Sequence, residues 1–167
     1  SLTWLNFLSS QRVSIPFEYD KAVSGATTLQ VRAQVPSILS LSPLPSICII
    51  NGLTNDVPVT LSDVNDAFTN ITGAAQDLLD NGIRPIIETD TPRTAASWSV
   101  TSRLLSSVYN RQLRVWAREN GALLADHEAK YIKTDGDPQT GYNVADGIHQ
   151  SATGGLVRGK VLFDVIE

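Results

Sequence analysis

One feature constrains this chain more than any other: short, unbroken apolar runs alternate with longer stretches whose apolar residues recur every three or four positions. Ile47-Cys48-Ile49-Ile50, Pro85-Ile86-Ile87 and Ala122 to Ala125 are the runs, and each reads as a buried strand. Between the first two, Leu61, Val64, Phe68, Ile71, Ala75, Leu78 and Leu79 line one face of a helix. Thr60 with Asp63 predicts a capping box at its start, and Gly82 predicts its stop. A second helix is predicted over Val100 to Trp116, through Leu104, Leu105, Val108 and Leu113, ended by Gly121. Ser151 caps a last helix carrying Leu156, Leu162 and Val165. Strand and helix in alternation predict an α/β domain with a mostly parallel sheet. Continuous apolar strands predict that both faces of the sheet are covered.

The N-terminal part is less regular. Trp4 to Leu8 reads as a first helix, Val13 to Phe17 as a short strand, and Thr27 to Val35 as a helix ended near Pro36. The 167 residues fit one domain over 1–167, large enough to fold without disulfide or metal. The net charge of −4 argues against a nucleic-acid partner, which calls for a basic face. A single cysteine excludes an internal disulfide framework and a multi-cysteine metal site, and Cys48 reads as inert core. The longest apolar stretch, Val35 to Ile50, is interrupted by Pro36, Pro43 and Pro45 and falls short of the roughly 20 residues that span a bilayer. No membrane partner is expected.

In an open parallel sheet, ligands bind outside the carboxyl ends of the strands, so the polar residues there matter most. Four segments follow strands or precede the last helix: Ala22 to Thr27, Asn51 to Val57, Thr89 to Arg93, and Asp146-Gly147-Ile148-His149. An Asp three residues before a His on a loop can hold the imidazole in one tautomer and leave the other ring nitrogen as a base. His149 also reads simply as a surface histidine. Asn55 can offer a side-chain N–H to an anion or serve as a turn residue. Gly25 can bring a backbone N–H close to a ligand or just make a turn.

Taken in order, Gly25, Asn55, Asp146 and His149 resemble the blocks of the SGNH (GDSL-type) hydrolases. In that family a Gly-Asp-Ser nucleophile is followed by a Gly, a Gly-x-Asn-Asp and an Asp-x-x-His. Thr54-Asn55-Asp56-Val57 and Asp146-Gly147-Ile148-His149 carry the resemblance, which runs from about Trp4 to the C-terminus. It implies a flavodoxin-like three-layer α/β/α sandwich. It also implies an ester hydrolase with His149 as base, Asp146 as its orienter, and Gly25 and Asn55 as oxyanion donors. No cofactor or metal is implied. The implied substrates are small acyl esters, commonly acetyl groups on carbohydrates.

Two departures follow. The Gly-Asp-Ser block and the strand it closes are missing, so the domain is expected to be N-terminally incomplete. Ser1-Leu2-Thr3 resembles the end of such a block, which makes Ser1 a weak candidate nucleophile. Leu53 stands where the family has Gly, and a Leu resists positive φ, so a shifted Asn55 loop is expected.

Other signals have blander readings. Arg93 and Trp98 read as a surface cation and a loop anchor, and the loop holding them should border the site. Gly154, Gly159 and Lys160 imitate a phosphate loop but lack its Ser or Thr and its strand. Asp135-Gly136-Asp137 reads as a turn rather than a calcium loop, and His127 as a cap or surface residue. The Asn70-Ile71-Thr72 sequon lies inside a helical pattern. The competing function is a catalytically silent module of the same fold that binds a glycan or a protein. A flavodoxin-like nucleotide binder ranks last, for want of a phosphate loop.

Overall fold

The structure, a computed structural model, describes residues 3–11, 15–134 and 137–167. In chain order the elements are α1 (Thr3–Ser10), α2 (Thr28–Ala33), α3 (Val35–Leu39), β1 (Ile47–Ile50), α4 (Leu61–Asp80), β2 (Arg84–Glu88), α5 (Val100–Asn120), β3 (Leu123–Ala125), α6 (Glu128–Tyr131) and α7 (Ala152–Ile166). The three described strands pair in parallel in the order β1-β2-β3. Ile49 lies opposite Ile86, and Ile87 opposite Leu124.

The sheet is buried from both sides because successive strand residues point to opposite faces. Ile86 packs with Leu8, Ala125, Val161 and Leu162 under α1 and α7. Its neighbour Ile87 packs with Val64, Ile71, Leu78 and Leu113 under α4 and α5. Both isoleucines are fully buried, which stabilises the fold by about 1.5–3 kcal/mol each. The result is the α/β/α layering that the alternating sequence implies.

Local signals place the helices. Thr60 Oγ1 accepts the Asp63 N–H at 3.2 Å while Asp63 Oδ2 accepts the Thr60 N–H at 2.8 Å, a reciprocal cap on α4. Ser99 and Ser151 cap α5 and α7 from one side only, their hydroxyls accepting the N–H groups of Ser102 and Gly154. Gly159 on α7 lets the helix approach α1, since a Cβ there would lie 2.9 Å from the Phe7 ring. Gly154, Gly159 and Lys160 are all inside α7, so no strand precedes that spacing.

Three expectations are corrected. Of the Val13–Phe17 strand, residues 13 and 14 lie outside the described residues, and Phe17 opens a 3-10 turn over Phe17–Tyr19 instead. The helix predicted to end near Pro36 breaks earlier, at Gln34, and α3 then restarts with Pro36 in its first turn. Proline is tolerated there because the N–H it lacks has no partner in a first turn. Finally, Leu53 does not avoid positive φ: it adopts φ 92°. Its side chain is fully buried, and that burial offsets a backbone cost of about 1–2 kcal/mol. Among the described residues no helix is long and apolar enough to cross a membrane.

Candidate active site

The loops after β1 and β2 leave the sheet on one edge, and the 143–150 loop packs against the second of them. In that last loop Asp146 Oδ1 accepts the N–H groups of Ile148 and His149 at 2.8 and 2.9 Å. Its other oxygen, Oδ2, lies 2.6 Å from His149 Nδ1. Gly147 makes the turn possible, with φ 70°. A Cβ there would collide with Thr94, 2.0 Å from its hydroxyl oxygen. The Gly147 carbonyl accepts from Ser97 Oγ and Asn143 Nδ2 at 3.2 and 3.1 Å, which docks the loop on the segment after β2.

The pair is open to solvent: the His149 side chain is 79% exposed and that of Asp146 44%. The hydrogen bond from His149, helped by the two backbone N–H groups, holds the Asp146 carboxyl down at about 2. An ionised Asp146 accepting from Nδ1–H leaves Nε2 as the basic nitrogen, and Nε2 makes no hydrogen bond among the described residues.

The other two predicted site residues lie on segments that meet at Ala26. Gly25 has φ 79° in a turn closed by the Ala26 N–H on the Val23 carbonyl at 3.2 Å. Asn55 is exposed, and its Nδ2 donates to the Ala26 carbonyl at 3.0 Å. That amide has two hydrogens, and Ala26 takes one. The Asp56 carboxylate accepts from the Thr28 N–H at 3.0 Å and from the Thr28 hydroxyl at 2.7 Å. Asn55 and Asp56 thus lace the β1 loop to the Gly25 segment.

Arg93 is no surface cation: it is 4% exposed. Its NH2 pairs with Asp90 Oδ1 at 2.9 Å and donates to the Thr54 hydroxyl. Its NH1 donates to the Thr91 hydroxyl and, at 3.3 Å, to the Ile148 carbonyl. Its guanidinium carbon stands 5.6 Å from the centroid of the Trp98 ring, which is itself buried. Thr91 and Arg93 therefore underlie the surface rather than border it. Asp90 is held in turn by Ser106 Oγ at 2.9 Å and, through its backbone, by the Asn110 amide. Burial pushes the Asp90 carboxyl up, and Arg93 pulls it part of the way back.

The second histidine is corrected too. His127 is almost wholly buried; it stands at the N-cap position of α6, but its side chain makes no capping bond. Its Nε2 lies 2.9 Å from Glu88 Oε1, and Arg158 grips both oxygens of the same carboxylate. Burial alone would raise the Glu88 pKa, but Arg158 and His127 reverse that and hold it below the usual carboxylate range. Cys48 sits half-buried in β1, where burial pushes its thiol up to about 11 and keeps it protonated. No group of three or more His, Cys, Asp or Glu able to hold a metal occurs among the described residues. Ser1 and residues 135–136 lie outside the described residues.

The layering is that of an α/β/α sandwich, and the chain belongs to the GDSL-like lipase/acylhydrolase family, whose model matches residues 2–155. Solved structures agree on the fold. A GDSL-like lipase from Bacteroides thetaiotaomicron is 18% identical, with a TM-score of 0.78, over 98% of this chain and 81% of that one. An acetyl xylan esterase, AlAXEase, is 14% identical, with a TM-score of 0.74, over 98% of this chain and 88% of that one. TesA is 16% identical, with a TM-score of 0.72, over 98% and 87%. None of the curated proteins compared with the chain matches it.

Sequence reasoning missed Asp90 and Arg93 as a pair. The signal was there: an acid and a base three residues apart, directly past a strand's carboxyl end.

Proposed function

We propose that this protein hydrolyses small acyl esters through a Ser-His-Asp triad. His149 is the base, Asp146 its orienter, and the Gly25 N–H and Asn55 side-chain amide are the oxyanion donors. The observation that carries the reading is the exposed Asp146–His149 pair, 2.6 Å apart, with Nε2 left over.

The chemistry follows from that arrangement. His149 Nε2 takes the proton from a serine hydroxyl as its oxygen bonds to the ester carbonyl carbon. Asp146 stabilises the imidazolium that forms. The oxyanion is held by the serine's own N–H, the Gly25 N–H and the Asn55 hydrogen not given to Ala26. The bond to the alcohol oxygen then breaks, and His149 returns the proton to the leaving alcohol. Water, deprotonated by His149, hydrolyses the acyl-enzyme and regenerates the serine. No step calls on a metal or cofactor. Ser1 is one candidate for the serine.

The acetyl xylan esterase of the same fold makes acetylated carbohydrates the first substrates to try. The test is turnover of p-nitrophenyl acetate and acetylated xylo-oligosaccharides by the full-length protein. Saturable hydrolysis supports the reading. A folded protein that hydrolyses neither, yet binds the oligosaccharide, supports the silent glycan-binding module instead.

A further inference from the structure

Both halves of the candidate site meet at one side chain. Arg93 touches the residue immediately before Asn55 and the residue immediately before His149. NH2 reaches the Thr54 hydroxyl, and NH1 reaches the Ile148 carbonyl at 3.3 Å. The two nitrogens belong to one planar, rigid group, so their separation is fixed. The group cannot drift as a whole, because the buried Asp90 carboxylate holds NH2 at 2.9 Å. Asp90 is fastened to α5 through Ser106 and Asn110. Thr54 Oγ1 also lies 3.2 Å from Asp90 Oδ1, which closes a triangle among the three side chains.

We propose that Arg93 is a positioning residue: it sets the distance between the oxyanion loop carrying Asn55 and the loop carrying His149. This rests on the esterase reading given above. Arg93 is buried beneath both loops. It acts through Thr54 on the oxyanion donor and through Ile148 on the base. A proton-transfer base and an oxyanion donor must serve one carbonyl at once, so an error of about 1 Å in their spacing can cost about 10²-fold in rate.

Arg93→Lys in the full-length protein is the test. Lysine keeps the charge beside Asp90 but is a single point donor that cannot span both loops. The expected result is a kcat lowered by about 10²-fold with KM unchanged and cooperative unfolding retained. A kcat equal to the parent's in folded Arg93→Lys overturns the proposal. So does a change in KM alone, which would make Arg93 a binding residue. If Arg93→Lys does not fold, Thr54→Val removes only the Thr54 end of the bridge. It should lower kcat on the order of tenfold, about one hydrogen bond's worth, and parent-like kcat there overturns the proposal.

Amide hydrogen exchange supplies a readout that does not need activity. In the bridge-broken variant, residues 53–57 and 144–149 should lose protection together by on the order of tenfold, with α4 unchanged. Loss in only one segment, or in neither, contradicts the bridge. If the parent shows no turnover, the esterase reading fails by itself, and exchange still decides whether Arg93 couples the loops.

Discussion

The chain has two histidines, and each sits against a carboxylate, yet the two pairs differ in exposure and in what else holds the carboxylate. His149 meets Asp146 on an exposed loop, through Nδ1. His127 meets Glu88 in the interior, through Nε2, with the Arg158 guanidinium closing the other side. The exposed pair leaves a basic nitrogen that a substrate can reach. The buried pair leaves Nδ1 enclosed without a hydrogen-bond partner. Its carboxylate ends β2, and its arginine comes from α7, so it ties the central strand to the helical layer below. An acid–histidine contact is therefore no signature of catalysis. What separates the two is access and whether a third charge already consumes the carboxylate.

The comparison can be broken or sharpened by substitution. The largest effect belongs to the exposed pair. Asp146→Asn should cost about 10²–10⁴-fold in kcat, because the imidazole loses its tautomer and its counter-charge. Melting should change little, since asparagine keeps an oxygen for the Ile148 and His149 N–H groups, and steady-state kinetics beside calorimetry read both. Glu88→Gln should do the reverse. It leaves the Arg158 charge without its carboxylate and should destabilise by about 3–5 kcal/mol in urea unfolding. A neutral result would make the buried pair dispensable. Asn55→Ala should lower kcat about 10²–10³-fold with folding intact. Near-parent turnover would remove Asn55 from the oxyanion hole.

The smallest effect is in pH. The folded pKa of Glu88 lies below its unfolded value, so its stabilisation is present above the ordinary carboxylate range and lost as pH falls through the folded value. Acid unfolding curves of Glu88→Gln should therefore lack part of the parent's loss below about pH 4. Asp146, held at about 2, stays ionised throughout the working range, so its ionisation sets no acid limb in the rate near neutral pH.

Much of this was legible in the sequence, for a physical reason. β1, β2, α4, α5 and α7 are specified by their own periodicity and caps, and Thr60, Gly121 and Ser151 stop or start helices through bonds within a turn. The Asp146 and His149 contact is equally local. What was illegible depends on distant partners. Arg93 reads as exposed in a Thr-Asp-Thr-Pro-Arg loop until Thr54 and Ile148 arrive from other segments to satisfy it. His127 reads as a cap until Arg158, from the far end of the chain, closes over Glu88. Leu53 reads as unfit for positive φ because the core that rewards it comes from α4 and elsewhere.

The central claim is that the exposed pair activates a serine and the buried pair does not. Its most direct test is the rate at which a fluorophosphonate labels the folded full-length protein, compared with His149→Ala. The account predicts label on one serine of the parent, and labelling slower by about 10²–10⁴-fold in the variant. Labelling that is absent from the parent, or unchanged in His149→Ala, would contradict it.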